Sequence, residues 1–191
     1  SGDLAAGGLV ALHTTGPITN ATASGNVTMN GGASVGGLIG TTSGAVTNAT
    51  ASGDVTAAES DKIGGLVGFA NNGASIRNST ASGSVTATES EQIGGLVGRN
   101  SGAVRNTAAS GEVTTSDSIG VGGFVGSQVD TVTASTASGD VTGNDSTVVG
   151  GFAGENADTI TNAMASGNVT VASSEPNTID RVGGFAGSNV N

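Results

Sequence analysis

Residues 94–114 read GGLVGRNSGAVRNTAASGEVT, and three signatures inside this stretch return along the chain. Gly-Gly followed by two apolar residues starts at positions 7, 36, 64, 94, 122, 150 and 183, at intervals of 29, 28, 30, 28, 28 and 33. Ala-Ser-Gly-x-Val-Thr begins at Ala23, Ala51, Ala81, Ala109, Ala137 and Ala165. Between them a β-branched residue is followed two positions on by Asn, as in Ile18/Asn20, Val46/Asn48, Ile76/Asn78, Val104/Asn106 and Ile160/Asn162, with Ala134 after Val132 as the departure. The distance from each signature Ala to the next Gly-Gly is 13 residues five times and 18 only in the last copy, where the 173–180 segment containing Pro176 is inserted. Variation confined to corners, with the rest held in register, is what stacked coils require, because insertions must loop outward without shifting their neighbours.

The units read as strands. Val, Ile, Thr, Ser, Asn and Gly are mediocre or poor helix formers, and no apolar stripe of period 3.6 persists through a repeat. Short β-branched runs separated by Gly-containing bends fit better. The pattern predicts three strands per coil, around Ile63–Gly68, Ala45–Ser52 and Gly53–Thr56. One coil cannot bury enough apolar surface to offset the entropy of ordering its residues, so the coils must stack, each pairing with the next in a parallel ladder. The expected fold is all-β: a parallel β-solenoid of about six coils of 28–30 residues, forming a single domain over 1–191. Small inward residues imply a narrow interior without a ligand cavity.

Composition narrows the function. The chain of 191 residues has 35 Gly, 4 Phe and no Tyr, Trp or Cys, and carries a net charge of −10. Its cations are Lys62, Arg77, Arg99, Arg105 and Arg181, with no basic patch, so nucleic acid is a poor partner: binding it relies on Lys and Arg displacing counterions from phosphate. No apolar run approaches the ~20 residues that span a bilayer, and no membrane insertion is expected. An acidic, Lys-poor surface also suits concentrated salt, which screens self-repulsion. Without Cys there is no disulfide scaffold and no thiolate metal site. His13 stands alone in the corner 11–17 and reads as a loop residue rather than a catalytic base. No catalytic constellation and no cofactor site emerges, and the expectation is a protein that is not an enzyme.

Four carboxylates, Glu59, Glu89, Asp117 and Asp145, each stand five residues before a Gly-Gly, which in a regular stack makes a column at about 4.8 Å per rung. Hard oxygen ligands suit calcium, so this column is the weak metal candidate; a solvated corner is the competing reading. The outward positions of the third strand are Asn26, Asp54, Ser84, Glu112, Asp140 and Asn168, with Thr28, Thr56, Thr86, Thr114, Thr142 and Thr170 two residues on. That file is the feature an ice-binding face would use, interrupted here by carboxylates. Asn-x-Ser/Thr triplets at Asn20, Asn26, Asn48, Asn78, Asn144 and Asn168 are acceptor sites for N-glycosylation. Asn48, Asn78 and Asn106 are positioned instead to stack as an amide ladder.

Gly94–Thr114 resembles the GLUG-type repeat of secreted and cell-surface proteins, and the resemblance extends over nearly the whole chain. It implies an extracellular or cell-surface stalk or adhesive segment. Phe-Ala in place of Leu-Val at Phe152 and Phe185 departs from the pattern. Ser1–Leu4 matches Ser52–Val55, so the sequence opens partway through a coil and closes partway through another, with no polar cap at either end. Open rungs offer unpaired backbone to another chain. The expected role is a non-catalytic structural or adhesive module that stacks end to end with copies of itself into a filament, or joins adjacent repeats of a longer stalk. The alternative is a recognition module that binds a glycan, host or ice surface along one face.

Overall fold

The computed structural model describes residues 4–174 and 181–190; most of the insertion at 173–180 lies outside them. The described residues form a parallel β-solenoid with no helix. The third coil shows the plan, with strands Lys62–Gly64, Val67–Ala70, Ser75–Arg77, Thr80–Ala81 and Val85–Thr88. Stacked on their counterparts, these make five ladders: the first and second seven strands deep, the third, fourth and fifth six deep. The three strands expected per coil are present, but the first bends at Gly65-Leu66 and the second at Asn78-Ser79, so that each is divided between two ladders.

Register is residue over matching residue. Ile63 lies between Val35 and Ile93, Val67 between Ile39 and Val97, and Val55 between Val27 and Val85. Pairing continues through corners: the Leu66 N–H donates to the Leu96 carbonyl, and the Leu96 N–H to the Phe124 carbonyl, both at 2.9 Å. Each coil therefore satisfies most of its backbone only through its neighbours.

Glycine shapes the cross-section. Side chains of the first and fifth ladders, such as Ile63, Val55 and Ala57, form one apolar cluster, while those of the second, third and fourth, such as Leu66, Val67, Ile76 and Ala81, form another. Between the clusters the first two ladders press backbone to backbone. A Cβ on Gly98 would lie 2.4 Å from the Ile63 N and 2.6 Å from the Gly68 carbonyl oxygen. The sequence Ile-Gly-Gly-Leu-Val-Gly is thus a tight fold of chain with apolar residues on its outer sides and hydrogen atoms where its two arms meet. At its tip Leu38, Leu66, Leu96, Phe124 and Phe152 are fully buried. The Phe124, Phe152 and Phe185 rings stack at centroid distances of 4.5 Å and 5.0 Å.

Two corners take left-handed backbone in five or more coils. Between the third and fourth ladders Asn20, Asn48, Asn78, Asn106, Ala134 and Asn162 all have φ of 50–55°. Asn tolerates this region because its short amide bonds locally, which explains its recurrence there, and Ala134 adopts the same turn. The second such corner, between the fifth and first ladders, holds the acidic column.

Candidate functional site

The carboxylates fall where the spacing puts them. Glu59, Glu89, Asp117 and Asp145 follow fifth-ladder strands in matching register, each with φ near 50°, in the column that Gly31 begins with φ of 72°. Three are exposed and Asp145 is half-buried. Among the described residues no group of three or more His, Asp or Glu side chains could hold a metal ion.

Next to this column runs a ladder the sequence reading did not single out. Ser60, Ser90, Ser118 and Ser146 are buried, one residue after each carboxylate. The N–H groups of Ser60, Ser90 and Ser118 donate to the Ser90, Ser118 and Ser146 Oγ atoms at 3.2–3.3 Å, and each Ser Oγ donates to the carbonyl two residues before it. One hydroxyl per coil therefore accepts from the preceding coil and closes its own turn. The signal was present in the recurring dipeptides Glu-Ser and Asp-Ser.

Asp145 accepts from the Ser174 N–H at 2.6 Å and from the Ser174 hydroxyl at 2.9 Å. These bonds, the backbone one foremost, favour the ionised form and hold its pKa below the ordinary 3.8. A folded-state value below the unfolded one means that the stabilising contribution is complete above the unfolded pKa and is lost as pH falls through the folded one. Ser174→Ala is expected to move the Asp145 titration midpoint up toward 3.8, followed by the carboxyl carbon shift in NMR.

The Thr file is in register over six rungs, from Thr28 to Thr170. Its neighbours serve the backbone: Asn26, Asp54 and Asp140 accept at Oδ1 from the N–H of Asp54, Ser84 and Asn168 at 2.7–2.9 Å. All six glycosylation triplets place their Asn on exposed positions. The amide ladder forms pairwise, with Asn48 Nδ2 donating to Asn20 Oδ1 at 3.1 Å and Asn106 Nδ2 to Asn78 Oδ1 at 3.4 Å.

His13 differs from its expected place in a loop: it ends the strand Val10–His13, is 8% exposed, and its Nδ1 shares a hydrogen bond of 2.8 Å with Thr42 Oγ1. It heads a column of the second ladder that continues through Thr42, Ala70, Asn100, Gln128, Asn156 and Asn189. Asn100 Nδ2 donates to Gln128 Oε1 at 3.0 Å, and Asn156 Nδ2 to Asn189 Oδ1 at 2.7 Å.

The family comparison meets this geometry repeat by repeat. A profile described as the GLUG motif matches residues 2–28, 31–56, 62–86, 89–114 and 145–170, more than half of the chain. The chain belongs to the GLUG repeat family. The GLUG matches leave out 115–144, the coil that carries Ala134, although that coil pairs on both sides like the others. No curated protein and no solved structure matches the chain. The GLUG solenoid is a structural repeat module.

Proposed function

We propose that this GLUG solenoid is a non-catalytic extracellular module, at the cell surface or in an adhesive filament, that extends by stacking coil upon coil, end to end with another copy or with adjacent repeats of a longer stalk. The observation that carries the reading is the distribution of exposed apolar side chains. Of nine large exposed hydrophobic residues among those described, seven lie in the outermost strands or beside them: Leu4, Leu9 and Leu12 at one end, Met164, Val182, Phe185 and Val190 at the other. Beside Phe185 opens a cavity of about 380 Å³ lined also by Ile160 and Asn189.

Polarity supports head-to-tail order. At the Gly-Gly corner the N–H of each coil donates toward the next coil's carbonyl, from Leu9 to Leu38 at one end and from Phe152 to Phe185 at the other. The Phe185 N–H and the Leu9 carbonyl are complementary in direction, and Leu9 occupies the same corner position as the Phe stack. Such a contact is heterologous and does not close, so it grows a filament.

Light scattering after size-exclusion chromatography is expected to show mass rising with concentration, and electron micrographs to show rods longer than one chain. Phe185→Asp should hold the chain to its monomer mass without loss of the internal fold. A monomer at all concentrations for the unaltered chain would overturn stacking between copies and leave the longer stalk as the reading.

A further inference from the structure

The outer ends of the first two ladders face each other along a seam on the solenoid surface. In the last coil Arg181 Nη1 donates across it to Ser188 Oγ at 3.3 Å. Over the first three coils the first ladder presents Ala5, Ser34 and Lys62, and the second presents Leu12, Thr41 and Phe69. The middle coil thus sets two short side chains between a long apolar residue on one side and a Lys and a Phe on the other. The result is a notch of about 360 Å³.

Its dimensions follow from the rungs. Leu12, 62% exposed, and Phe69 are two coils apart in one column, ~9.6 Å at the ordinary spacing of paired strands. A ring inserted above Thr41 would sit about one rung, ~4.8 Å, from each. That is the separation at which the chain stacks its own rings, 4.5 Å and 5.0 Å apart in the core. The notch offers that spacing in a different column, where the short Thr41 stands between Leu12 and Phe69.

Its charge is distinctive in a chain of net −10. Lys62 Nζ lies 5.6 Å from the Phe69 ring centroid and the Arg99 guanidinium carbon 5.9 Å. Arg99 Nε is buried without a hydrogen-bond partner. Lys62 is 20% exposed, and its salt bridge, to Asp61 at 3.8 Å, is to a side chain that is 62% exposed and is readily displaced. Ser34 and Asn71 add polar groups to the lining. Arg99 stands one coil beyond Phe69, outside the lining, so Lys62 is the cation that the notch offers to a small anion, with a polar rim around it. Asp61, the partner of Lys62, is the carboxylate in the lining itself; repulsion by more distant carboxylates is screened beyond about 8 Å at physiological salt.

We propose that this notch binds a ring-shaped ligand bearing a carboxylate, the ring lying between Leu12 and Phe69 and the carboxylate against Lys62. Two sources share that chemistry, an aromatic acid and the uronic acid unit of an acidic glycan. The test titrates the intact chain with benzoate, glucuronate and their neutral counterparts benzyl alcohol and glucose, reading the amide signals of Ser34, Thr41 and Asn71 by NMR. At least one acid should shift these signals saturably, with its neutral counterpart at least tenfold weaker. Saturation by benzoate alone assigns the aromatic source, by glucuronate alone the sugar source, and by both the shared chemistry. Lys62→Gln should weaken the binding about tenfold, and Asp61→Asn, which releases Lys62, should strengthen it. Thr41→Leu fills the notch and should abolish binding while the remaining amide spectrum stays in place. No saturable shift with either acid, equal binding of the neutral counterpart, or unchanged affinity in Lys62→Gln would each overturn the proposal.

Discussion

Replacing Gly95 by Ala is expected to destabilise the solenoid by about 3–5 kcal/mol, at the upper end of single-residue effects. A Cβ there would lie 2.2 Å from the Gly123 carbonyl oxygen of the next coil, and the Gly123 N–H is in turn bonded to the Gly150 carbonyl of the coil after it. Relief would require separating two coils along a ladder that continues through the whole stack. Gly95 has no positive φ, so the cost is one of space and not of backbone conformation. The same column supplies its control: Gly184 has nothing within 4 Å of the added atom, and Gly184→Ala should be nearly neutral. Gly111 and Gly25 repeat the comparison at the Ala-Ser-Gly corner, where the collision points to the preceding coil: 1.9 Å from the Gly83 oxygen for Gly111, open space for Gly25. Thermal unfolding of Gly95→Ala should drop by about 10 °C or more, against little change for Gly184→Ala and Gly25→Ala. Equal effects at the inner and outer positions would mean that coil contact does not set the glycine requirement. Because strand pairing joins each coil only to its neighbours, damage at Gly95 should also divide the unfolding into two steps.

The part of this architecture that could be read from the sequence is the part that repeats one residue over one residue. The Thr28–Thr170 file, the column from Glu59 to Asp145 and the pairing of Val55 with Val27 and Val85 are direct consequences of fixed spacing, and all appear where counting puts them. Counting does not show where a strand bends. Ile63–Gly68 reads as one extended run because each residue suits a strand, yet the hydrogen atoms of Gly64 and Gly68 let the two arms pack together, so the run turns at Gly65-Leu66. The Ser60–Ser146 ladder escaped for a related reason: beside a charged residue in an exposed-looking corner, nothing local marks Ser as buried. The identity of Asn at 48 and 78 was legible, but its cause was not, since the positive φ that selects it is a property of the turn. His13 was misplaced because its partner Thr42 stands a full coil away. The seam notch depends on Ser34 and Thr41 being short while Lys62 and Phe69 are long, a difference between coils that a consensus of the repeat averages out.

Phe152→Ala is expected to cost about 3–5 kcal/mol, the usual range for emptying a buried aromatic site. The ring is fully buried and stacked on both faces, against Phe124 at 4.5 Å and Phe185 at 5.0 Å, so its loss leaves a gap in a continuous column. Leu66 and Leu96 hold the same corner in earlier coils, so Phe152→Leu should cost less than about 1.5 kcal/mol if volume is the main requirement. The neighbouring position decides whether it is. Coils with Leu at the corner follow it with a β-branched residue, as in Leu38-Ile39, Leu66-Val67 and Leu96-Val97, whereas Phe152 is followed by Ala153, also fully buried in the same cluster. In the last two coils the larger corner residue is thus paired with a smaller next one, Phe152 with Ala153 and Phe185 with Ala186, whereas Phe124 keeps Val125. On this account Ala153→Val alone overfills the coil, Phe152→Leu alone underfills it, and the double substitution is more stable than the sum of the two changes by about 0.5–1 kcal/mol. Denaturant unfolding of the four proteins measures that coupling. Additive effects would show that the corner and its neighbour pack independently and that the exchange of Leu-Val for Phe-Ala carries no compensation.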